Sequence, residues 1–243
     1  MKAGIGSLVA GLLMTTVALA GDLGETRFDC LLEPNAQVDL GGGSPGVVSE
    51  VRVERGQRIR KGQVLVRLND GLERTALARA KARIARGQRR LERNQALYEM
   101  KMLLPEERDD IEMDIRSAEA DAAEARERLR LRVLKSPIDG VVVERSIDPG
   151  ELLGSDPVLR LASLDPLHVE VILPARYFGQ VSAGQQASVY PAEPLGGEYP
   201  ARVAIVDPVV DPGSGTFRVR LLLDNLGNRI PAGLRCQVRF GKS

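Results

Sequence analysis

The chain has no tryptophan, only four phenylalanines and four tyrosines, and a single histidine, His168. So few flat rings leave no stacking platforms for nucleic acid bases, and the usual metal ligands are almost absent. Charge of one sign is also missing. Lys and Arg number 34 against 33 Asp and Glu, which argues against a general polyanion binder. Nucleic acid is therefore not an expected partner, and β-structure must be built on Val, Leu and Ile. No metal site, catalytic constellation or cofactor site is indicated. No Ser or Cys nucleophile sits in a strand-turn-helix elbow, and no glycine-rich loop opens a helix as a phosphate site would.

Long apolar runs are confined to the amino terminus. Met1 and Lys2 give a positive start, Ile5 to Leu19 carry no charge, and Ala18-Leu19-Ala20 offers the small residues of a cleavage site. Residues 1–20 read as a signal peptide cut after Ala20, with an uncleaved anchor as the alternative. Cysteine is scarce too. Cys30 and Cys236 stand near opposite ends of the mature chain. In an oxidising compartment they either form a disulfide closing a very long loop or remain two buried thiols.

What the sequence does hold is a pattern interrupted by a different one. Gly46-Val47-Val48-Ser49-Glu50-Val51-Arg52-Val53 alternates in the manner of a half-buried strand, Gly56 breaks it, and Val64-Leu65-Val66-Arg67-Leu68 alternates again. From Gly71 the texture turns to Ala, Arg, Glu, Gln and Leu, with no proline before Pro105. Leu77, Ile84, Leu91 and Tyr98 recur by sevens, and Ile111, Ile115, Ala118, Ala122, Ala125 and Leu129 step by four and three. That is the seam of an antiparallel helical hairpin with arms of about 40 Å. The β texture then returns. Aligning Gly46-Val47-Val48 with Gly140-Val141-Val142 brings Gly56 onto Gly150, so one β-domain is split and its halves must meet in space. Strand candidates from His168 to Phe240, with a brief helical turn near Ala175 to Gly179, predict a small antiparallel barrel.

These motifs resemble the periplasmic adaptor subunits, or membrane fusion proteins (HlyD-like), of tripartite efflux pumps. The likeness rests on Gly46-Val47-Val48, Lys61-Gly62-Gln63-Val64-Leu65, the hairpin and Ser136-Pro137-Ile138-Asp139-Gly140 at its exit. Asp211-Pro212-Gly213-Ser214-Gly215-Thr216-Phe217-Arg218, Asn225 and Pro231-Ala232-Gly233 extend it. The resemblance implies a mixed α and β, elongated multi-module fold. A split lipoyl-like (barrel-sandwich hybrid) β-domain carries the inserted antiparallel coiled-coil hairpin and is followed by the small β-barrel. The expected division is a lead at 21–37, with pairing to the barrel as an option, lipoyl-like halves at 38–70 and 135–164, the hairpin at 71–134 and the barrel at 165–243.

The resemblance further implies a periplasmic protein of a Gram-negative bacterium, peripheral to the inner membrane. Its partners would be an inner-membrane transporter, with the RND type favoured and the ABC type the alternative, an outer-membrane channel of the TolC type, and further copies of itself in a ring of six. In the family the hairpin tip carries an Arg, a Leu four residues on and a Ser seven beyond. Arg93 and Leu97 match, while Leu104 stands in the serine position before Pro105, and Tyr98 and Lys101 lie nearby.

Three other readings compete. Glu99-Met100-Lys101-Met102 is the acceptor tetrapeptide of biotin carriers, but Asn69-Asp70-Gly71 occupies the turn where a carrier lysine belongs. His168 and Glu170, two apart on a strand, share a face and could form a catalytic dyad, against a plain surface histidine. An exported structural coiled coil explains the hairpin but not the repeat around it.

Overall fold

The structure is a computed structural model that describes residues 23–100, 102 and 104–241. The signal-peptide segment and Lys101 lie outside the described residues. The chain divides into two compact units. One holds the described parts of Met1–Leu31 and Arg235–Ser243 together with Val169–Leu222, and the other holds Leu32–His168 and Leu223–Leu234.

In the second unit the split domain is rebuilt from both sides of the hairpin. Strands β2 (Gly46–Val51), β3 (Arg58–Ile59) and β4 (Val64–Leu68) precede the helices. Strands β5 (Val133–Lys135), β6 (Gly140–Arg145), β7 (Leu152–Leu153) and the start of β8 (Pro157–Pro174) follow them. The halves do not merely touch. β2 pairs with β7, β3 with β6 and β4 with β5, so each half completes the sheets of the other.

The glycine interval seen in the sequence acquires a physical meaning here. Gly56 N–H donates to Val142 O and Gly150 N–H to Val48 O, both at 2.8 Å, a reciprocal bond between the halves. Both glycines sit at positive φ, +82° and +93°, where a side chain would be strained. The same superposition brings Val48 onto Val142, Val53 onto Ile147, Ile59 onto Leu153 and Leu65 onto Leu159, all buried in one core. Neither half could close that core alone.

Helices α1 (Gly71–Glu99) and α2 (Pro105–Leu131) form the inserted hairpin. Pro105 starts α2, where its missing N–H costs nothing. Glu106 and Glu107 in the first turn and Arg128 and Arg130 in the last complement the helix dipole. The seam of α1 is fuller than its every-seventh pattern suggests, because Ala80, Gly87 and Asn94 interleave among Leu77, Ile84, Leu91 and Tyr98 at covered positions. At Gly87 the arms come closest, and a Cβ there would lie 2.5 Å from Ile115 Cγ1. The second arm ends at Leu131, because Leu134 is buried in the β-core and Val133–Lys135 pairs with β4.

The remaining strands are β1 (Phe28–Gly41), β9 (Gln186–Pro191), β10 (Tyr199–Val206), β11 (Thr216–Leu223) and β12 (Arg235–Phe240). The larger sheet runs β1-β12-β9-β10-β11-β8-β6-β3, and β1 also pairs with β8, which closes the first six strands into a barrel. Alternate residues of β8, Leu167, Val169, Val171 and Leu173, are fully buried, the period-two signature that the sequence carried. A single turn of 3-10 helix at Ala175–Tyr177 places Tyr177 edge-on to Phe28, with ring centroids 5.1 Å apart.

Candidate functional site at the hairpin turn

The turn between the arms is built by two stop signals. The helical pattern of α1 ends at Met100, whose N–H reaches Ala96 O at 3.1 Å, and Met102 N–H folds back to Leu97 O at 2.9 Å. Leu104 is extended, with φ −72° and ψ 143°, as a residue before proline must be, and α2 starts at Pro105. The result is an apolar cap on a charged rod. Leu97 is 39% exposed, Met100 67%, Met102 70% and Leu104 65%.

Of the residues singled out by sequence, Leu97, Leu104 and Pro105 are thus at the turn. Lys101 is outside the described residues. Arg93 lies one turn below, exposed, along a groove it lines with Arg86, Arg90 and Asp114. Tyr98 is placed differently: it occupies the seam, half-buried, with its hydroxyl enclosed and without a hydrogen-bond partner. The Arg108 guanidinium stands over its ring at 5.9 Å, itself held by Glu112 Oε1 at 2.8 Å. Met100 and Met102 were missed as surface contacts. The sequence signal for them is two long apolar side chains beside a proline turn, within the same tetrapeptide that resembles a biotin acceptor.

The base of the hairpin is equally specific. Arg132 donates from Nε and Nη2 to Glu73 Oε1, at 3.0 and 2.7 Å, and from Nη1 to Pro45 O at 2.6 Å. Burial pushes the Glu73 carboxyl up, but the Arg132 hydrogen bonds, a backbone hydrogen bond and the guanidinium charge outweigh it, and the group sits below the ordinary glutamate range.

Other sequence candidates resolve into structural parts. Cys30 and Cys236 face each other across β1 and β12, both buried, and their sulfurs are joined in a disulfide. Glu170 accepts a hydrogen bond from Arg220 Nε. Asp211 caps the turn of the Asp-Pro-Gly-Ser-Gly-Thr motif by accepting from Ser214 N–H at 2.7 Å and from the Ser214 hydroxyl at 2.8 Å. Those bonds hold its carboxyl below the usual range. Asn225 is buried with both its side-chain polar atoms bonded: Nδ2 donates to Leu164 O and Ile230 O, and Oδ1 accepts from Ile230 N–H. Asn69 and Asp70, where a carrier lysine would stand, connect β4 to α1. Among the described residues no group of three or more His, Cys, Asp or Glu is placed to hold a metal ion, and no helix is long and apolar enough to cross a membrane.

A two-part β-domain interrupted by a helical hairpin and joined to a six-stranded barrel defines the membrane fusion class of proteins. Residues 42–162 match the family of CzcB-like barrel-sandwich hybrid domains, and residues 166–243 match the CusB-like β-barrel family. The chain belongs to the membrane fusion protein family that combines these two domains. It is 24% identical to the multidrug resistance protein MexA of Pseudomonas aeruginosa over 90% of this chain and 60% of that one. It is 27% identical to the cobalt-zinc-cadmium resistance protein CzcB of Cupriavidus metallidurans over 59% of this chain and 31% of that one. A crystal structure of a MacA-MexA chimera carrying the Pseudomonas aeruginosa MexA α-hairpin superimposes with a TM-score of 0.76 at 20% identity, covering 90% of this chain and 82% of that one. The chain spans 31% to 60% of the length of the curated relatives it matches.

Proposed function

We propose that the chain is the periplasmic adaptor of a tripartite efflux or secretion assembly, linking an inner-membrane transporter to an outer-membrane channel of the TolC type. The observation that carries this reading is the hairpin turn. Four exposed apolar side chains cap a rod whose sides are charged, and the rod is held at its other end by a β-domain built around both helix ends. At about 1.5 Å per residue, a 29-residue arm sets that cap roughly 43 Å from its base. A rigid rod with an apolar end suits contact with another protein.

The contact to the outer channel is assigned to Leu97, Leu104 and Pro105, with Arg93 and Lys101 beside them and Met100 and Met102 added. Leu104 replaces the serine of the family's docking motif, so this contact leans on apolar surface more than on a hydroxyl. Tyr98 acts beneath it by filling the seam. For the inner-membrane partner the RND type is favoured, because residues 166–243 match a family of RND-type β-barrels; an ABC transporter is the alternative. Copies stand side by side in a ring, of six by resemblance, in the periplasm.

The test is export in cells that lack the native copy. Arg93→Asp with Leu97→Asp abolishes efflux or secretion while the purified protein keeps its helical circular dichroism. Unchanged export with the double variant overturns the assignment of the turn.

A further inference from the structure

Between the two arms runs a groove of about 470 Å³ whose α1 wall carries Arg83, Arg86, Arg90 and Arg93, while Asp114 and Ser117 stand on its α2 wall. The four arginines are spaced three, four and three residues apart, so they share one face of α1 and follow one another at each turn. Like charges so placed disfavour a helix unless opposite charge lies among them. Toward the base it does. Arg83 meets Asp121 at 3.2 Å, and Glu124 lines the adjoining groove beside Arg79 while holding Arg128 at 2.6 Å. Toward the tip the acids thin out. Asp114 is the one carboxylate among the lining residues there, and Arg86, Arg90 and Arg93 form no ion pair among the described residues.

The register of the arms shows where the deficit falls. Arg83 stands opposite Asp121 and Gly87 opposite Ile115, which sets Arg86 level with Ser117 and Arg90 level with Asp114. A ladder of base facing acid is thus broken at one rung, where Ser117 takes the place that a carboxylate holds at Asp121 and Asp114. The Ser117 hydroxyl has no hydrogen-bond partner among the described side chains and is free to donate. Arg90 and Asp114 are level yet form no ion pair, and Gly87 and Ala118 put no bulk between the walls, so the space stays open. Arg86 and Arg90 are separated by about 6 Å of helical rise, a spacing at which two guanidinium forks reach one tetrahedral oxyanion or two linked ones.

We propose that the distal half of this groove is a binding site for a multivalent oxyanion of the phosphate type, held by Arg86 and Arg90 and by the Ser117 hydroxyl where the ladder lacks its acid. With Arg83 paired to Asp121, three arginines face one carboxylate, an excess of two positive charges. A singly charged ion leaves half of that excess in place, so the site selects anions of two or more charges. Arginine suits the task because its planar fork matches phosphate oxygens two at a time. The phosphate is either free, as in pyrophosphate, or carried on a lipid headgroup, as in phosphatidic acid; both present the same oxygens. A bound anion ties α1 to α2 midway along the rod and stabilises the hairpin by mass action. The site needs the two arms of one copy alone and does not depend on the adaptor reading.

The experiment is isothermal titration calorimetry of the full chain at about 0.15 M salt, with sodium pyrophosphate and, separately, with phosphatidylcholine vesicles containing phosphatidic acid. The natural chain is expected to bind a single pyrophosphate saturably and to melt at a temperature that rises with its concentration. Arg86→Gln with Arg90→Gln weakens binding at least about tenfold, the loss expected when charge-assisted hydrogen bonds are removed. Arg89→Gln with Arg126→Gln removes the same charge from positions off the walls of either groove and weakens it less than about twofold. Ser117→Glu, which fills the missing rung, abolishes binding and raises the melting temperature of the unliganded chain. Gln and Glu are good helix formers, so helical circular dichroism stays unchanged in all three variants. Saturable binding of the vesicles alone, lost in the Arg86→Gln, Arg90→Gln chain, supports the site and assigns its phosphate to a headgroup. Equal weakening by the two double variants means an adventitious ion only and overturns the proposal. So does the absence of saturable binding with both probes, or undiminished binding by Ser117→Glu.

Discussion

Arg132 closes the hairpin on Glu73. Two guanidinium nitrogens meet one carboxylate oxygen at 2.7 and 3.0 Å, and a third reaches Pro45 O. Both residues occupy seam positions where apolar side chains would otherwise stand, so the pair joins the start of α1 to the end of α2 and both to the β-domain. The Arg132 side chain is 19% exposed and that of Glu73 10%, which keeps solvent from substituting for either partner. Arg132→Ala is therefore expected to cost about 1.5 to 3 kcal/mol, the range of charge-assisted hydrogen bonds, in chemical denaturation. Replacing both with Met and Gln costs less than Arg132→Ala alone, because no buried charge is left unpaired.

The same pair gives a pH dependence of known sign. The Glu73 carboxyl is lowered in the folded chain, so its stabilisation is complete above the ordinary glutamate value of about 4.3 and is lost as the pH falls through its lowered value. Melting temperature measured from neutral pH down to about 3 should fall more steeply for the natural chain than for Glu73→Gln. Parallel curves would remove Glu73 from the account.

Gly87 sets the separation of the arms. A Cβ there would lie 2.5 Å from Ile115 Cγ1, and that overlap outweighs the gain of about 1 kcal/mol that a helix makes on losing a glycine. Gly87→Val is expected to destabilise by about 1 to 3 kcal/mol, with Ile115→Ala in the same chain recovering part of the loss. Thermal unfolding of the single and double variants measures it. A Gly87→Val chain more stable than the natural one would show that the arms do not approach as described.

Cys30 and Cys236 offer a direct chemical check. Thiol titration of the denatured, unreduced chain is expected to find no free thiol, and Cys30→Ser with Cys236→Ser to lose about 2 to 5 kcal/mol, the usual cost of removing a native disulfide. Two titratable thiols would contradict the bridge.

Much of the fold was legible because its signals are local and repeated. Gly46 with Gly140 and Gly56 with Gly150 announced the split domain, and Leu77, Ile84, Leu91 and Tyr98 announced the rod. What stayed hidden depends on partners distant in the chain. Nothing near Arg132 or Glu73 distinguishes them from the other charges of the hairpin, since their role exists only once the two helix ends meet. Sequence alone leaves strand β1 as a lead with pairing to the barrel only as an option, because the pairing of Phe28 to Leu31 with Arg235 to Val238 joins opposite ends of the sequence. Ala80, Gly87 and Asn94 fill seam positions without apolar bulk, so periodicity overlooked them. At the turn, Leu97 and Leu104 stood out by resemblance, whereas Met100 and Met102 emerge only from their exposure.

The adaptor reading is tested most directly by a photo-cross-linking residue at Leu97 of the chain in its native cells, with captured proteins identified by mass spectrometry. The expected result is an adduct to an outer-membrane channel protein from Leu97, and none from Leu72, an exposed residue at the base of the same helix. Equal yields of that adduct from both positions, or adducts from Leu97 with this chain alone, would contradict a hairpin that bridges to the outer membrane.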